Sequence, residues 1–338
     1  LVGNPQTQLT NVLVSLDCTE AVIAEAKEKN CNLVVSHHPI IFKGLKKLNG
    51  KNYVERTIIS AIQNNIAIYA IHTNLDNVLN EGVNSKIAEK LGLENLQILE
   101  PKTGSLNKLV TYAPVANAEL VRTAMFEAGA GHIGNYDQCS FNVDGSGTFR
   151  ANNDANPHVG EIGVTHREPE TRIEVIFPDY LQKQILNALI KNHPYEEVAY
   201  DIYPLNNTWQ QTGAGMFGEL PTPLSSSDFL KYLKDKMKIS VIKYTPFTEQ
   251  IKKVAICGGS GSFLLNRAKA CGADPFVTSD FKYHEFFDAE NQIMICDIGH
   301  YESEQYTSEL IIEIIKRKFP NFAPILTETI TNPVNYYY

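Results

Sequence analysis

Strand-like and helix-like runs alternate at both ends of this chain, and that alternation constrains its fold more than any other feature. Residues 11–17, NVLVSLD, are short, β-branched and apolar, which suits a strand buried on both faces. The next run is CTEAVIAEAKEKN. Thr19 stands where an N-cap is needed, and Val22, Ile23 and Ala26 recur at helical spacing. NLVVSHHP supplies a second buried strand, stopped by Pro39. Strand, helix and strand within about 30 residues form a βαβ unit, which requires a parallel sheet covered by helices. RTIISAIQNN, IAIYAIHTNLD and NSKIAEKLGL continue as helix, strand and helix. Far downstream VAICGG, SFLLNRAKACG and PFVTSD repeat the scheme, with 23 residues from Val254 to Val277 against 22 from Val12 to Val34. QIMICDIGH adds a strand and SEQYTSELIIEIIKRKF an amphipathic helix. The expected fold is α/β: a three-layer α/β/α main domain built from both ends of the chain.

The middle obeys another rule. LNKLVTYAP, NAELVRTAMFEAG, QCSFNVDG, TRIEVIFP, DYLQKQILNALIKNHP and EEVAYDIYPL read as β-α-β-β-α-β, the ferredoxin-like split pattern. GSGTFRANNDANPHVGEIGVTHREPE, between the central strands, is rich in Gly, Asn and Pro and is expected to be a long loop. NNTWQQTGAGMFGELPTPLSSSD reads as linker and loop. The chain has 338 residues, a length that suits about two domains. The expected division is a main α/β domain at 1–104 and 208–338, interrupted by an inserted ferredoxin-like α+β domain at 105–207.

Composition narrows the class. With 43% hydrophobic and 20% charged residues the chain can bury a real core, which excludes disorder over most of its length. No apolar run approaches the roughly 18–20 residues of a membrane span. A formal charge of -8 argues against a general nucleic-acid binder. Cys18, Cys31, Cys139, Cys257, Cys271 and Cys296 show no CxxC pairing and read as small packed residues in a reducing compartment, with cytoplasm the expected location. No targeting segment is visible, and the opening LVGNPQTQLT reads as a loop with further residues expected upstream.

Chemistry concentrates at strand ends. Within a strand His37 and His38 would point to opposite faces, but at its carboxyl end, where Pro39 turns the chain, both can reach the crevice above the sheet. Splayed imidazoles there suit two neighbouring metal ions; the plainer alternative is a pair of loop histidines making hydrogen bonds. His72 and Asp76 close the next strand-like run, and His300 follows another with Glu304 four residues on. If a helix starts near His300 these two share a face. Nitrogen and oxygen donors without thiolate favour Zn²⁺, Mn²⁺, Fe²⁺ or Co²⁺, and a pair of such ions can activate water and clamp a hydrolytic transition state. Asp17 is placed to orient a ligating histidine, or else to cap a helix.

Other motifs carry less. CGGSGS, at 257–262, could hold an anion on backbone amides, but it lacks GK[ST], Leu264 replaces the third dinucleotide glycine, and a tight turn without ligand is the simpler reading. In SDFKYHEFFDAE, Lys282 could steady an anionic substrate and His284 could transfer protons, with surface-loop roles the alternative. Gly131-His132 and His193-Pro194-Tyr195-Glu196-Glu197 have no partner at metal-ligand spacing and read as structural. The closing NYYY reads as an exposed tail or subunit contact.

HHPIIFKG, HTNLD, GAGMFGEL, CGGSGS and GHYESE, in this order, strongly resemble the GTP cyclohydrolase 1 type 2 homologues, also called Nif-three-like dinuclear metal proteins. The resemblance covers nearly the whole chain. GHIGNYDQCSF and HPYEEVAYDIYPL resemble the middle domain of the longer bacterial members, which is like the PII and CutA trimeric proteins. It implies that His37, His38, Asp76, His300 and Glu304 are the metal ligands, for two divalent ions per subunit. It also implies a toroidal homohexamer with the sites facing an interior cavity, and some two dozen residues before Leu1. A cyclohydrolase would need a nucleobase pocket and a triphosphate clamp, to which Lys43, Lys282 and CGGSGS could contribute. The function expected is a metal-dependent hydrolase of a nucleotide or phosphate ester, GTP being one candidate; the alternative is a non-enzymatic metal-binding or regulatory scaffold with a ligand-sensing PII-like domain.

Overall fold

The structure, a computed structural model, describes residues 1–247 and 250–337. It is a mixed α/β protein with three sheets among the described residues. In chain order the elements are β1 (Val12–Ser15), α1 (Glu20–Glu28), β2 (Leu33–Ser36), α2 (Tyr53–Gln63), β3 (Ala67–Ala70), α3 (Thr73–Asp76), α4 (Val83–Lys90) and β4 (Glu94–Lys102). They continue with β5 (Leu106–Pro114), α5 (Ala118–Glu127), β6 (Ser140–Arg150), β7 (Thr165–Pro178), α6 (Gln182–Asn192) and β8 (Tyr200–Leu205). The last are β9 (Trp209–Leu224), α7 (Ser226–Met237), β10 (Lys243–Tyr244), β11 (Ile251–Ser260), α8 (Leu265–Ala270), β12 (Pro275–Ser279), β13 (Met294–Asp297), α9 (His300–Glu304), α10 (Thr307–Lys318) and β14 (Ile325–Leu326). The chain divides into two compact units, Leu1–Pro101 with Gln210–Tyr338, and Lys102–Trp209.

The first unit holds two sheets. One has the order β14-β1-β2-β3, all parallel, with Val12 opposite Leu33 and Leu33 opposite Ala67. Leu13 and Val34 pack with Val22, Ile23 and Ile58 on one face, while Val12, Val14 and Val35 pack with Val83, Ile87 and Leu310 on the other. Burial on both faces is why β1 and β2 are apolar up to their closing serines. Thr19 caps α1 as its position demands, accepting from the Val22 amide at 3.3 Å.

The second sheet has the order β10-β13-β12-β11-β9-β4. Strands β11, β12 and β13 are parallel, and β9 and β10 join them antiparallel. Ala255, Phe276 and Ile295 pack on Leu264, Leu265 and Ala268, whereas Val254, Ile256 and Val277 enter the same cluster as Val12, Val14 and Val35. The two βαβ units therefore build separate sheets with a shared core between them, whereas the expected three-layer α/β/α domain has a single sheet.

Two segments that read as loop contain strand. The glycine-rich stretch after residue 208 is β9. Its glycines answer a close approach of backbone: a Cβ at Gly218 would lie 2.7 Å from Glu94 O, and one at Gly213 would lie 2.7 Å from Pro101 Cα. The expected loop between the central strands of the other unit is shorter than its composition suggests: the pairing runs from Ser140 opposite Val175 out to Arg150 opposite Thr165, leaving 151–164 as the connection. Most of that outer ladder is exposed, so nothing forces an apolar alternation, and a reading based on hydrophobic period misses it.

The second unit runs β5-α5-β6-β7-α6-β8 as one antiparallel sheet of order β6-β7-β5-β8. Leu109, Ala113, Ile173, Val175 and Phe177 pack on Val121, Met125, Ile185 and Leu189. All six cysteines are free thiols. Among the described residues no helix is long and apolar enough to cross a membrane.

Candidate metal centre

Strand pairing carries the two adjacent histidines past the end of β2. The His37 amide donates to Ser15 O at 3.2 Å and the His38 amide to Leu16 O at 2.9 Å, while Ser36 Oγ donates to His38 O. The neighbouring chain leaves the sheet sooner than IAIYAIHTNLD suggested. Strand β3 ends at Ala70, His72 takes the left-handed φ of 44°, and Thr73–Asp76 becomes the helical turn α3. Asn84 fixes that turn, donating from Nδ2 to Asp76 O and accepting the Gly258 amide on Oδ1, both at 2.9 Å. Helix α9 begins at His300, so His300 and Glu304 share one face.

The glycines of CGGSGS make room for Glu304. Gly259 has φ +65°, and a Cβ there would run into Glu304 Oε1 and lie 3.3 Å from His300 Cε1; one at Gly258 would lie 3.4 Å from Glu304 Cγ. The Gly259 backbone is occupied: its amide donates to Ser303 Oγ, and the Thr278 and Ser279 hydroxyls donate to Gly259 O. The segment is thus a close-approach seat for α9 at the end of β11.

The side chains converge on Glu304, which is 4% exposed. Its Oε2 lies 2.9 Å from His38 Nε2 and 3.3 Å from His300 Nε2, and its Oε1 lies 3.6 Å from His37 Nε2. Asp76 Oδ1 is 3.4 Å from His37 Nε2, and the Nε2 atoms of His38 and His300 are 3.4 Å apart. His37, His38 and Glu304 form a group that could hold a metal ion, offering one ligand atom each within 4.8 Å of one another. Both ring nitrogens of His37, Asp76 Oδ1 and Glu304 Oε2 are buried without a hydrogen-bond partner. Glu304 Oε2 is close to His38 Nε2, yet not along a hydrogen-bonding direction. Buried, unpaired nitrogen and oxygen lone pairs are costly unless something accepts them. A divalent cation does, and this donor set fits one.

Two carboxylates stand behind the cluster. Asp17 Oδ1 is 2.8 Å from His38 Nδ1, and Asp280 Oδ2 is 2.6 Å from His300 Nδ1. Each carboxylate fixes its ring through Nδ1, so that the Nε2 edge faces Glu304. Asp17 thus bonds a candidate ligand and caps no helix, that place being taken by Thr19. The pairing of Asp280 with His300 was missed, although an aspartate ending PFVTSD beside the strand that leads to His300 was the available signal.

The charges interlock. Burial disfavours the Glu304 carboxylate, but His300, His37 and His38 outweigh it and hold its pKa far below the usual carboxylate range. Burial would likewise depress His38, yet its bond to Asp17 and the adjacent Glu304 carboxylate push it up to about 10. His300 is raised to about 9 by Glu304, against burial, with help from Asp280. Burial raises Asp76 to about 6. Cation binding to these imidazoles therefore competes with protons.

Other flagged residues lie outside this convergence. The His72 ring packs edge-on against His37, His38 and Phe42. His284 is exposed against the rings of Tyr283 and Phe287, and exposed Lys282 gives its backbone amide to Glu285 Oε2. Lys43 is exposed. His193 is structural: its Nε2 bonds Tyr112 O and its Nδ1 accepts the Tyr195 amide. His132 lies exposed in a loop. Of the closing tyrosines, Tyr336 and Tyr337 are exposed and Tyr338 lies outside the described residues.

Fold and cluster together define an α/β protein with a nitrogen- and oxygen-donor group at its strand ends that could hold a metal ion. Comparison with known proteins gives the family. This chain belongs to the Duf34/NIF3 (NGG1p interacting factor 3) family, whose sequence model matches residues 1–333. It is 39% identical over 99% of its length to a Bacillus subtilis protein named GTP cyclohydrolase 1 type 2 homolog, covering 91% of that relative. Among solved structures it is similar to a Bacillus cereus protein related to NIF3, with TM-score 0.85, 36% identity and coverage of 100% of this chain and 92% of that one. A Staphylococcus aureus protein gives TM-score 0.77 and 31% identity, with coverage of 100% and 91%.

Proposed function

We propose that this chain is a metal-dependent hydrolase with a dinuclear centre, in which His37, Asp76 and Glu304 hold one divalent ion and His38, His300 and Glu304 the other. The observation that carries this reading is the buried Glu304 carboxylate, set among three imidazole Nε2 atoms with its Oε2 unpaired. A carboxylate so placed can bridge two cations. When bound, a Zn²⁺, Mn²⁺, Fe²⁺ or Co²⁺ pair supplies Lewis acidity toward a scissile bond and its attacking water. The protein's own groups do the rest. Asp17 and Asp280 hold the outer nitrogens of His38 and His300, Asn84 holds the turn that carries Asp76, and Gly258 and Gly259 let Glu304 approach. His284 is the proposed proton carrier and Lys282 the proposed partner of an anionic substrate.

The substrate class proposed is a nucleotide or other phosphate ester. GTP is one member, suggested by the name of the Bacillus subtilis relative. The second unit, with its β6-β7-β5-β8 order, is read as a ferredoxin-like, PII/CutA-like insert at 105–207 of a main domain at 1–104 and 208–338. A cytoplasmic toroidal homohexamer completes the proposal, for which native mass spectrometry is the check.

The test is to measure bound metal, then screen the Mn²⁺- or Zn²⁺-loaded protein against nucleotides, phosphodiesters and cyclic amides. Glu304→Gln should abolish metal pairing and turnover together, and His37→Ala should lose metal-dependent turnover. Turnover that persists with no metal bound refutes the hydrolase reading. A second reading, a regulatory metal-binding scaffold, draws on the second unit, where Phe141 and Val143 are 66% and 48% exposed on an edge strand. Metal binding with silence across the substrate panel supports it.

A further inference from the structure

The C-terminal segment is tied to the candidate metal centre from behind. After β14 pairs with β1, Thr327 Oγ1 and Thr329 Oγ1 donate to Glu25 Oε2 at 2.5 and 2.6 Å. The amides of Glu328 and Thr329 donate to the same carboxylate at 2.8 and 3.2 Å. One side chain of α1 thus anchors the tail with four hydrogen bonds. Beyond the anchor, Thr331 Oγ1 donates to Asp17 Oδ2 at 2.6 Å, and Asn332 Nδ2 donates to Glu302 Oε1 at 3.0 Å. These two acceptors are not incidental. The other oxygen of Asp17 holds His38 Nδ1, and Glu302 lies in α9 between His300 and Glu304.

We propose that Thr331 and Asn332 are positioning residues for one half of the metal centre, fixing His38 through Asp17 and His300 through the first turn of α9. The Asp17 side chain is 34% exposed, so without a second anchor it is free to rotate and to bond water instead of the imidazole. Captured at both oxygens, it has one orientation left, and the His38 ring inherits it. The other half needs no such support: His37 is fully buried, and the turn carrying Asp76 is held by Asn84. The two ions therefore depend on the tail unequally. This rests on the dinuclear reading above.

The experiment titrates full-length, metal-stripped protein with Co²⁺, followed by calorimetry and visible absorption. Thr331→Val keeps the side-chain shape and removes the hydroxyl. One of the two binding steps should weaken about 2- to 10-fold, the worth of one hydrogen bond, with an altered absorption band for that step alone. Thr331→Ser restores the donor and should restore both isotherm and spectrum, and Asn332→Ala should weaken the same step. A tail that only stabilises the fold would shift the melting temperature and spare the Co²⁺ spectrum. Two steps unchanged in Thr331→Val, or weakened alike without rescue by serine, overturn the inference and leave the dinuclear reading standing. Wild-type protein that binds fewer than two ions overturns both.

Discussion

Adding one methyl group at Gly259 tests whether the seat for Glu304 is as tight as the structure has it. The residue has φ +65°, and its new Cβ would collide with Glu304 Oε1 and crowd Glu304 Cδ at 3.2 Å and His300 Cε1 at 3.3 Å. The left-handed backbone costs alanine about 1–2 kcal/mol, and overpacking a filled site adds about 1–3 kcal/mol. Gly272 is the control, since its φ is +72° and nothing lies within 4 Å of a Cβ built there. Gly272→Ala should therefore show the backbone cost alone, and Gly259→Ala should be less stable by the crowding difference, about 1–3 kcal/mol. Urea unfolding of metal-free protein reads the difference. Metal analysis reads the consequence: Gly259→Ala should lose bound metal because Glu304 cannot keep its place, while Gly272→Ala keeps the wild-type content. Equal stability and equal metal content in the two variants would refute the argument.

Particular contacts give three further outcomes. Asp280→Asn replaces the carboxylate on His300 Nδ1 and should weaken metal binding about 10- to 100-fold, as removal of an outer-shell partner does; unchanged affinity by competition with a chelator would count against the geometry. Glu25 is disfavoured by burial but held down to about 2, from an ordinary 4.5, by its bonds to Thr327, Thr329, Glu328 and Lys29. Its stabilisation of the tail is thus complete above pH 4.5 and fades as pH falls toward 2, a loss that hydrogen exchange at 327–329 should report in wild type and not in Glu25→Gln. Phe276, fully buried between β12 and α8, should cost about 3–5 kcal/mol as Phe276→Ala in thermal or urea unfolding, and a loss below 1 kcal/mol would mean the core there collapses freely.

Chemical identity and local order were legible in the residues alone. Short, apolar, valine- and isoleucine-bearing runs such as NVLVSLD and VAICGG suit strands buried on both faces, and Thr19 stands where the helix after the first of them needs a cap. Histidines and carboxylates at predicted strand ends marked where ligand-bearing groups would gather. Hydrophobic period, however, carries no record of partners. That β1 and β11 belong to different sheets, that a glycine-rich stretch becomes β9, and that a polar hairpin extends to Arg150 were decided by pairing and close backbone approach. The arrangement around Glu304 belongs to the same category. Asp280 reaches His300 across 20 residues, Gly259 yields space to Glu304 across 45, and Thr331 reaches Asp17 across 314. Distances between atoms so remote along the chain are set only when the whole core closes, so the sequence named the donors and the tertiary structure alone aimed them.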